Sequence, residues 1–71
     1  MRRWLQKARK KAGMTMAEVA EKISISESYY SMIEAGERQK QMDITLAVKL
    51  ADVLGLSIES VVAMEREDVS A

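Results

Sequence analysis

Apolar residues recur along this chain at the spacing of amphipathic helices, in five stretches separated by polar or glycine-bearing breaks. Met1, Trp4, Leu5, Ala8 and Ala12 form one stripe, and Gly13 closes it as a glycine just past a helix C-terminus commonly does. Thr15, followed three residues later by Glu18, reads as a capping box, so a short second helix should bury Val19, Ala20 and Ile23 and end near Ser24. A third helix is predicted from Ser26, whose hydroxyl can cap free backbone N–H groups while Glu27 sits on the positive end of the helix dipole. Ser24 with Glu27 is a competing box. Ser26 is preferred because Tyr30 and Ile33 then face inward and Gly36 stops the helix after Ala35.

Asp43 or a neighbour opens a fourth helix, in which Ile44, Ala47, Leu50, Ala51 and Leu54 are expected to face the core. Leu46, Val48 and Val53 make that helix apolar almost all round, as befits a central element. Gly55 closes it and Ser57 caps a fifth helix, from which Ile58, Val61 and Val62 pack back. The fold class is therefore all-α: a compact five-helix bundle over residues 1–64, with a polar tail, 65–71, expected to fray.

Seventy-one residues support one domain and one small core. With no Cys and no His, the chain has no disulfide framework, thiolate nucleophile, imidazole base or usual zinc ligands, so no cofactor or metal is expected. There is neither a nucleophile–base set nor a glycine-rich phosphate loop, which argues against an enzyme. The short apolar runs predict no membrane span and no signal segment, and hence a cytoplasmic protein.

The formal net charge is zero, which by itself disfavours a nucleic-acid partner. Its distribution is uneven. Arg2, Arg3, Lys7, Arg9, Lys10 and Lys11 give the first twelve residues six cations and no acid, whereas Asp43, Asp52, Glu59, Glu65, Glu67 and Asp68 outnumber Lys49 and Arg66 from residue 41 onward. A basic helix of this kind is also what a solvated face looks like.

Two short helices, from Thr15 to Ile23 and from Ser26 to Ala35, separated by a few residues, have the dimensions of a helix-turn-helix. The run from Thr15 to Arg38, TMAEVAEKISISESYYSMIEAGER, resembles the signature of the Cro and phage-repressor, or lambda repressor-like, family. Glu18 and Ala20, the Ile25–Ser26 approach, Ser28–Tyr29, the segment from Ile33 to Gly36, and the later run from Leu50 to Ile58 carry the likeness. The resemblance implies a transcriptional regulator of repressor type that reads operator DNA in the major groove with helix 3 while helix 2 lies across the backbone. It also implies a partly buried ion pair between Arg9 and Glu34. The chain departs from the family where Met16 replaces a frequent Gln, Ser24 a Gly, Ala35 an Asn and Met42 a Pro, and where Glu27 and Met32 replace basic residues. The recognition helix is left without a cation.

Base contacts are assigned to Ser26, Glu27, Ser28, Ser31 and Met32: the carboxylate can accept from a cytosine amino group, the serines can donate or accept, and Met32 can lie against a thymine methyl. Glu27 also has a simpler reading, as a solvated acid favouring the helix N-terminus. Tyr30 is read as core, and Tyr29, in opposite phase, offers its hydroxyl to a phosphate or base edge. Phosphate contacts fall to Thr15, the Met16 backbone N–H, Tyr29, Arg38 and Lys40, with Arg9 and Lys10 as further candidates. The partner implied is double-stranded operator DNA, with no small-molecule effector evident. A homodimer is expected because one small domain reads few base pairs, and Ser60, Val61, Ala63 and Met64 are its candidate interface. The alternative is a protein-interaction module or antitoxin on the same fold, consistent with the zero net charge.

Overall fold

A computed structural model describes the backbone of residues 1–70 and side chains through Glu67. Among the described residues there are five helices and no strand: α1 (Arg3–Lys11), α2 (Met16–Lys22), α3 (Glu27–Ala35), α4 (Ile44–Leu54) and α5 (Ile58–Ser70). None of them is long and apolar enough to cross a membrane.

Local chemistry sets the boundaries. Thr15 and Glu18 form the reciprocal capping box, with the Thr15 Oγ1 accepting from the Glu18 N–H at 3.1 Å and the Thr15 N–H donating to Glu18 at 2.8 Å. Ser26 caps α3 through the Tyr29 N–H at 3.1 Å, Asp43 caps α4 through the Leu46 N–H at 2.7 Å, and Ser57 Oγ accepts from the Ser60 N–H at 3.1 Å. At the end of α3, Gly36 takes a φ of +81°, and a Cβ there would also lie 3.2 Å from the Met1 nitrogen.

The helices close around Leu5, Val19, Tyr30, Ile33, Leu50 and Val61, each almost wholly buried, with Trp4, Ala20, Ile23 and the inner face of α4 around them. Burying each large apolar side chain contributes about 1.5–3 kcal/mol, so a handful dominates the stability of so small a domain. Helix α2 packs on α3, α4 on α5, and α1 bridges α3 and α5.

Four expectations need correction. On α4 the inward face is Leu46, Ala47, Leu50, Ala51 and Leu54, while Ile44 is 73% exposed. Because Asp43 is the cap, Ile44 becomes the first helical residue and points outward. Met1 and Ala12 are exposed and lie outside α1. Val62 is exposed, leaving Val61 as the fully buried one of that pair. Finally, α5 continues through Glu65 to Ser70, so the boundary at residue 64 falls inside a helix. Side chains beyond Glu67 and all of Ala71, where the rest of the expected tail falls, lie outside the described residues.

Candidate nucleic-acid interface

Helices α2 and α3 are joined by a short turn in which Ser24 adopts a φ of +61°, a left-handed conformation that usually falls to glycine. The backbone N–H of Ile25 bonds back to the Ala20 carbonyl at 3.0 Å, fixing the approach to the Ser26 cap. Tyr30, Ile33 and Glu34 form the buried face of α3. Glu27 and Ser28 are exposed on the opposite side, and Ser31 and Met32 are half-buried. Those four residues line one shallow groove together with Met16, the first residue of α2. The groove holds hydroxyls, a carboxylate and two thioethers, and no cation.

Behind this face the orientation of α3 is set by an ion pair. Arg9 Nε donates to Glu34 Oε2 at 2.6 Å and Nη2 to Oε1 at 3.4 Å, while Nη1 donates to the Met14 carbonyl at 3.0 Å. Both side chains are buried, and the bond to Glu34 raises the guanidinium pKa, holding Arg9 charged. Arg9 is thus turned into the bundle, buried with its carboxylate partner, which weighs against the phosphate contact expected of it. Beside the pair, the Tyr30 hydroxyl meets no hydrogen-bond partner; burial, and then the Glu34 carboxylate, push its ionisation upward, so it stays neutral in the core.

A second buried guanidinium, Arg2, has no counterpart among the candidate residues. Its Nε donates to both oxygens of Glu65 at 2.9 Å, Nη1 donates to the carbonyls of Ile33 at 2.7 Å and Arg38 at 3.1 Å, and Nη2 donates to the Gln39 carbonyl. Trp4 Nε1 donates to Glu65 as well, at 2.9 Å. One arginine thereby bonds the Ile33 carbonyl near the end of α3, pins the loop that follows, and joins it to α5. That loop carries Arg38 and Lys40, both exposed. Thr15, Ser26 and Lys10 are also exposed, and Tyr29 is half-buried, its hydroxyl accepting from Gln39 Nε2 at 2.9 Å.

The chain matches the helix-turn-helix family over residues 5–61. It is also 40% identical over 55 residues, 78% of this chain and 70% of the other, to the uncharacterized HTH-type transcriptional regulator YqaF of Bacillus subtilis (strain 168). The chain belongs to the Cro/C1-type helix-turn-helix family. No solved structure is a significant match.

Family membership sets the chain among DNA-binding proteins of transcription regulation with the lambda repressor-like all-α fold. On that fold, Met16, Glu27, Ser28, Ser31 and Met32 converge on one groove, whereas Arg38 and Lys40 stand on the adjoining loop and Lys10 on α1. Of the candidate dimer residues on α5, Ser60 and Ala63 are exposed and Met64 is half-buried against the core. Val61, 1% exposed, is core and cannot meet a second copy. Arg2, Gln39 and Glu65 were not legible as functional residues. A basic start and a polar end carry no sign of pairing across the length of the chain.

Proposed function

We propose that this protein is a sequence-specific repressor of the phage or mobile-element type, which reads operator DNA in the major groove with α3 and acts as a homodimer without enzymatic activity. The observation that carries the reading is the division of α3 into two faces: one locked into the bundle by Tyr30, Ile33 and the Glu34–Arg9 pair, the other presenting Glu27, Ser28, Ser31 and Met32 together. A rigid helix with a small polar outer face meets the need of base reading, where each donor and acceptor must be held in register with a base edge. Arg38 and Lys40 on the exposed loop after α3, with Thr15, Ser26, Tyr29, the Met16 N–H and Lys10, are the groups that would supply phosphate and edge contacts.

In the dimer, two copies meet through α5. Glu59, Val62, Ala63 and Arg66 line one shallow strip of that helix, with Ile58 at its side. An antiparallel two-fold centred between Val62 and Ala63 sets Glu59 against the partner's Arg66 and apolar groups against each other, a self-complementary arrangement. Ser60 is exposed on the same helix, whereas Met64 packs against the core on the side that faces α1.

The deciding experiment is selection of bound sites from a random duplex pool, followed by affinity measurements at several salt concentrations. Recovery of an inverted repeat with half-sites about one helical turn apart, and a steep salt slope on any duplex, supports the reading. A second reading, a protein-interaction module on the same fold, is favoured by the zero net charge and the absence of a cation on α3. It requires that no duplex bind with a salt-dependent affinity.

A further inference from the structure

Gln39 stands in the loop between α3 and α4, at a φ of +55°, a conformation uncommon for a residue with a side chain. Three bonds hold it there. Its carbonyl accepts from Arg2, its Oε1 accepts from the Asp43 N–H at 3.1 Å, and its Nε2 donates to the Tyr29 hydroxyl oxygen at 2.9 Å. The direction of the last bond follows from the second. A backbone N–H only donates, so the amide oxygen must face Asp43, and the amide nitrogen is left facing Tyr29. Nitrogen donates, so the Tyr29 oxygen accepts. The tyrosine's own hydrogen is then committed to nothing on this side.

We infer that Gln39 is a positioning residue that sets the polarity of Tyr29, keeping its hydroxyl a donor so that it can bond a phosphate oxygen of the bound duplex. A phosphate offers only acceptors. A tyrosine whose hydrogen was already given to a neighbouring carboxylate would present it with a lone pair and be repelled, whereas an amide donor behind the oxygen leaves the hydrogen outward and polarises it. The half-buried Tyr29 lies beside Asp43, Thr45 and Lys49 at the rim of an open pocket, so its hydroxyl is within reach of solvent and of a backbone passing α3. Arg2 and Glu65 act one step further back, fixing the backbone from which the Gln39 side chain projects.

This inference rests on the DNA-binding reading, and the test separates the two. Affinity for the selected operator is measured for the wild type, Y29F, Q39E and the double variant at one salt concentration. A glutamate at position 39 still accepts from Asp43 but accepts from Tyr29 as well, reversing the bond. Y29F is expected to weaken wild-type binding about tenfold and to leave Q39E binding unchanged, because there the hydroxyl has nothing to give. The general repulsion from the added carboxylate is present in both Q39E chains and cancels. Equal losses in the two backgrounds, or no loss from Y29F in a wild type that binds its operator, would overturn the inference while leaving DNA binding intact; a wild type that binds no duplex overturns both.

A second measurement does not need Q39E to fold. In the isotope-labelled wild type the Gln39 side-chain amide resonance is expected to move on Y29F, and the Y29F loss is expected to vanish on duplexes carrying an uncharged methylphosphonate at the contacted position. An unmoved amide signal, or a loss that persists at every position, overturns it.

Discussion

The carboxylate of Glu65 receives three bonds from the guanidinium of Arg2, at 2.8 to 2.9 Å, across 63 positions of sequence. Removing it strands a buried cation that also holds one carbonyl of α3 and two of the loop after it. Glu65→Ala is expected to cost about 3 kcal/mol, whereas Glu67→Ala, on the exposed side of the same helix and outside the Glu59–Arg66 strip, should stay within about 0.5 kcal/mol. Thermal melts of the two variants check this, and equal effects would refute a special role for Glu65.

Arg9 and Glu34 form the other buried pair, between α1 and α3. Each truncation alone leaves an uncompensated charge and should cost about 3 kcal/mol, while the double variant should cost clearly less than the sum. A double-mutant cycle measures the coupling; additive losses would show that the two side chains do not depend on each other.

Both pairs bear on what could be read in the sequence. Caps were legible because each is a local rule: Thr15, Ser26 and Asp43 start their helices where a short polar side chain precedes an apolar stripe. The phase of α4 was not, because a helix apolar nearly all round leaves two faces in competition, and packing chose Leu46 over Ile44. Val61 and Val62 are neighbours differing by one position, and tertiary contacts alone decide which is inside. Arg9–Glu34 followed from family likeness, but Arg2 joins Glu65 from opposite ends of the chain, and no local pattern distinguishes such a pair from solvated charges. Ser24, standing where relatives often have Gly, sits in the left-handed conformation that explains the preference.

The capping box makes stability depend on pH. Bonds from the Thr15 backbone and hydroxyl hold the Glu18 carboxyl below its ordinary pKa. Its contribution is therefore present above the unfolded-state value and is lost as pH falls through the lower folded value. Glu18→Gln keeps an acceptor without a charge, so wild type and variant should differ in midpoint at neutral pH and converge in acid. Melts across that range check the sign. A difference that grows on acidification would contradict it.

Glu27 is repelled by every phosphate and can bond only a base donor. Should it accept from a cytosine, Glu27→Ala loses about 1 to 3 kcal/mol on the operator while random duplex binds equally or slightly better. Affinities for both duplexes at one salt concentration decide the matter. A parallel rise on the two would reduce Glu27 to a helix-dipole role.

In the proposed dimer, Arg66→Glu would oppose two acids across the antiparallel α5 pair, and association should weaken about tenfold. Adding Glu59→Arg restores opposite charges and should recover it. Sedimentation equilibrium reads both constants. No change in either variant would move the interface away from this strip.

The Arg2 clasp has a kinetic consequence. It closes nearly the whole chain into one loop, whereas α2 and α3 meet across a turn of a few residues. Closing so long a loop sacrifices chain entropy before any contact rewards it, so the clasp is expected to form after the barrier, and equal refolding rates of wild type and Glu65→Ala would bear this out. A bond absent at the barrier leaves the refolding rate untouched and acts wholly on the rate of opening. On that expectation Arg2 and Glu65 set how long a folded molecule lasts, and with it how long the loop bearing Gln39 and Arg38 keeps its shape, rather than how readily the fold is reached.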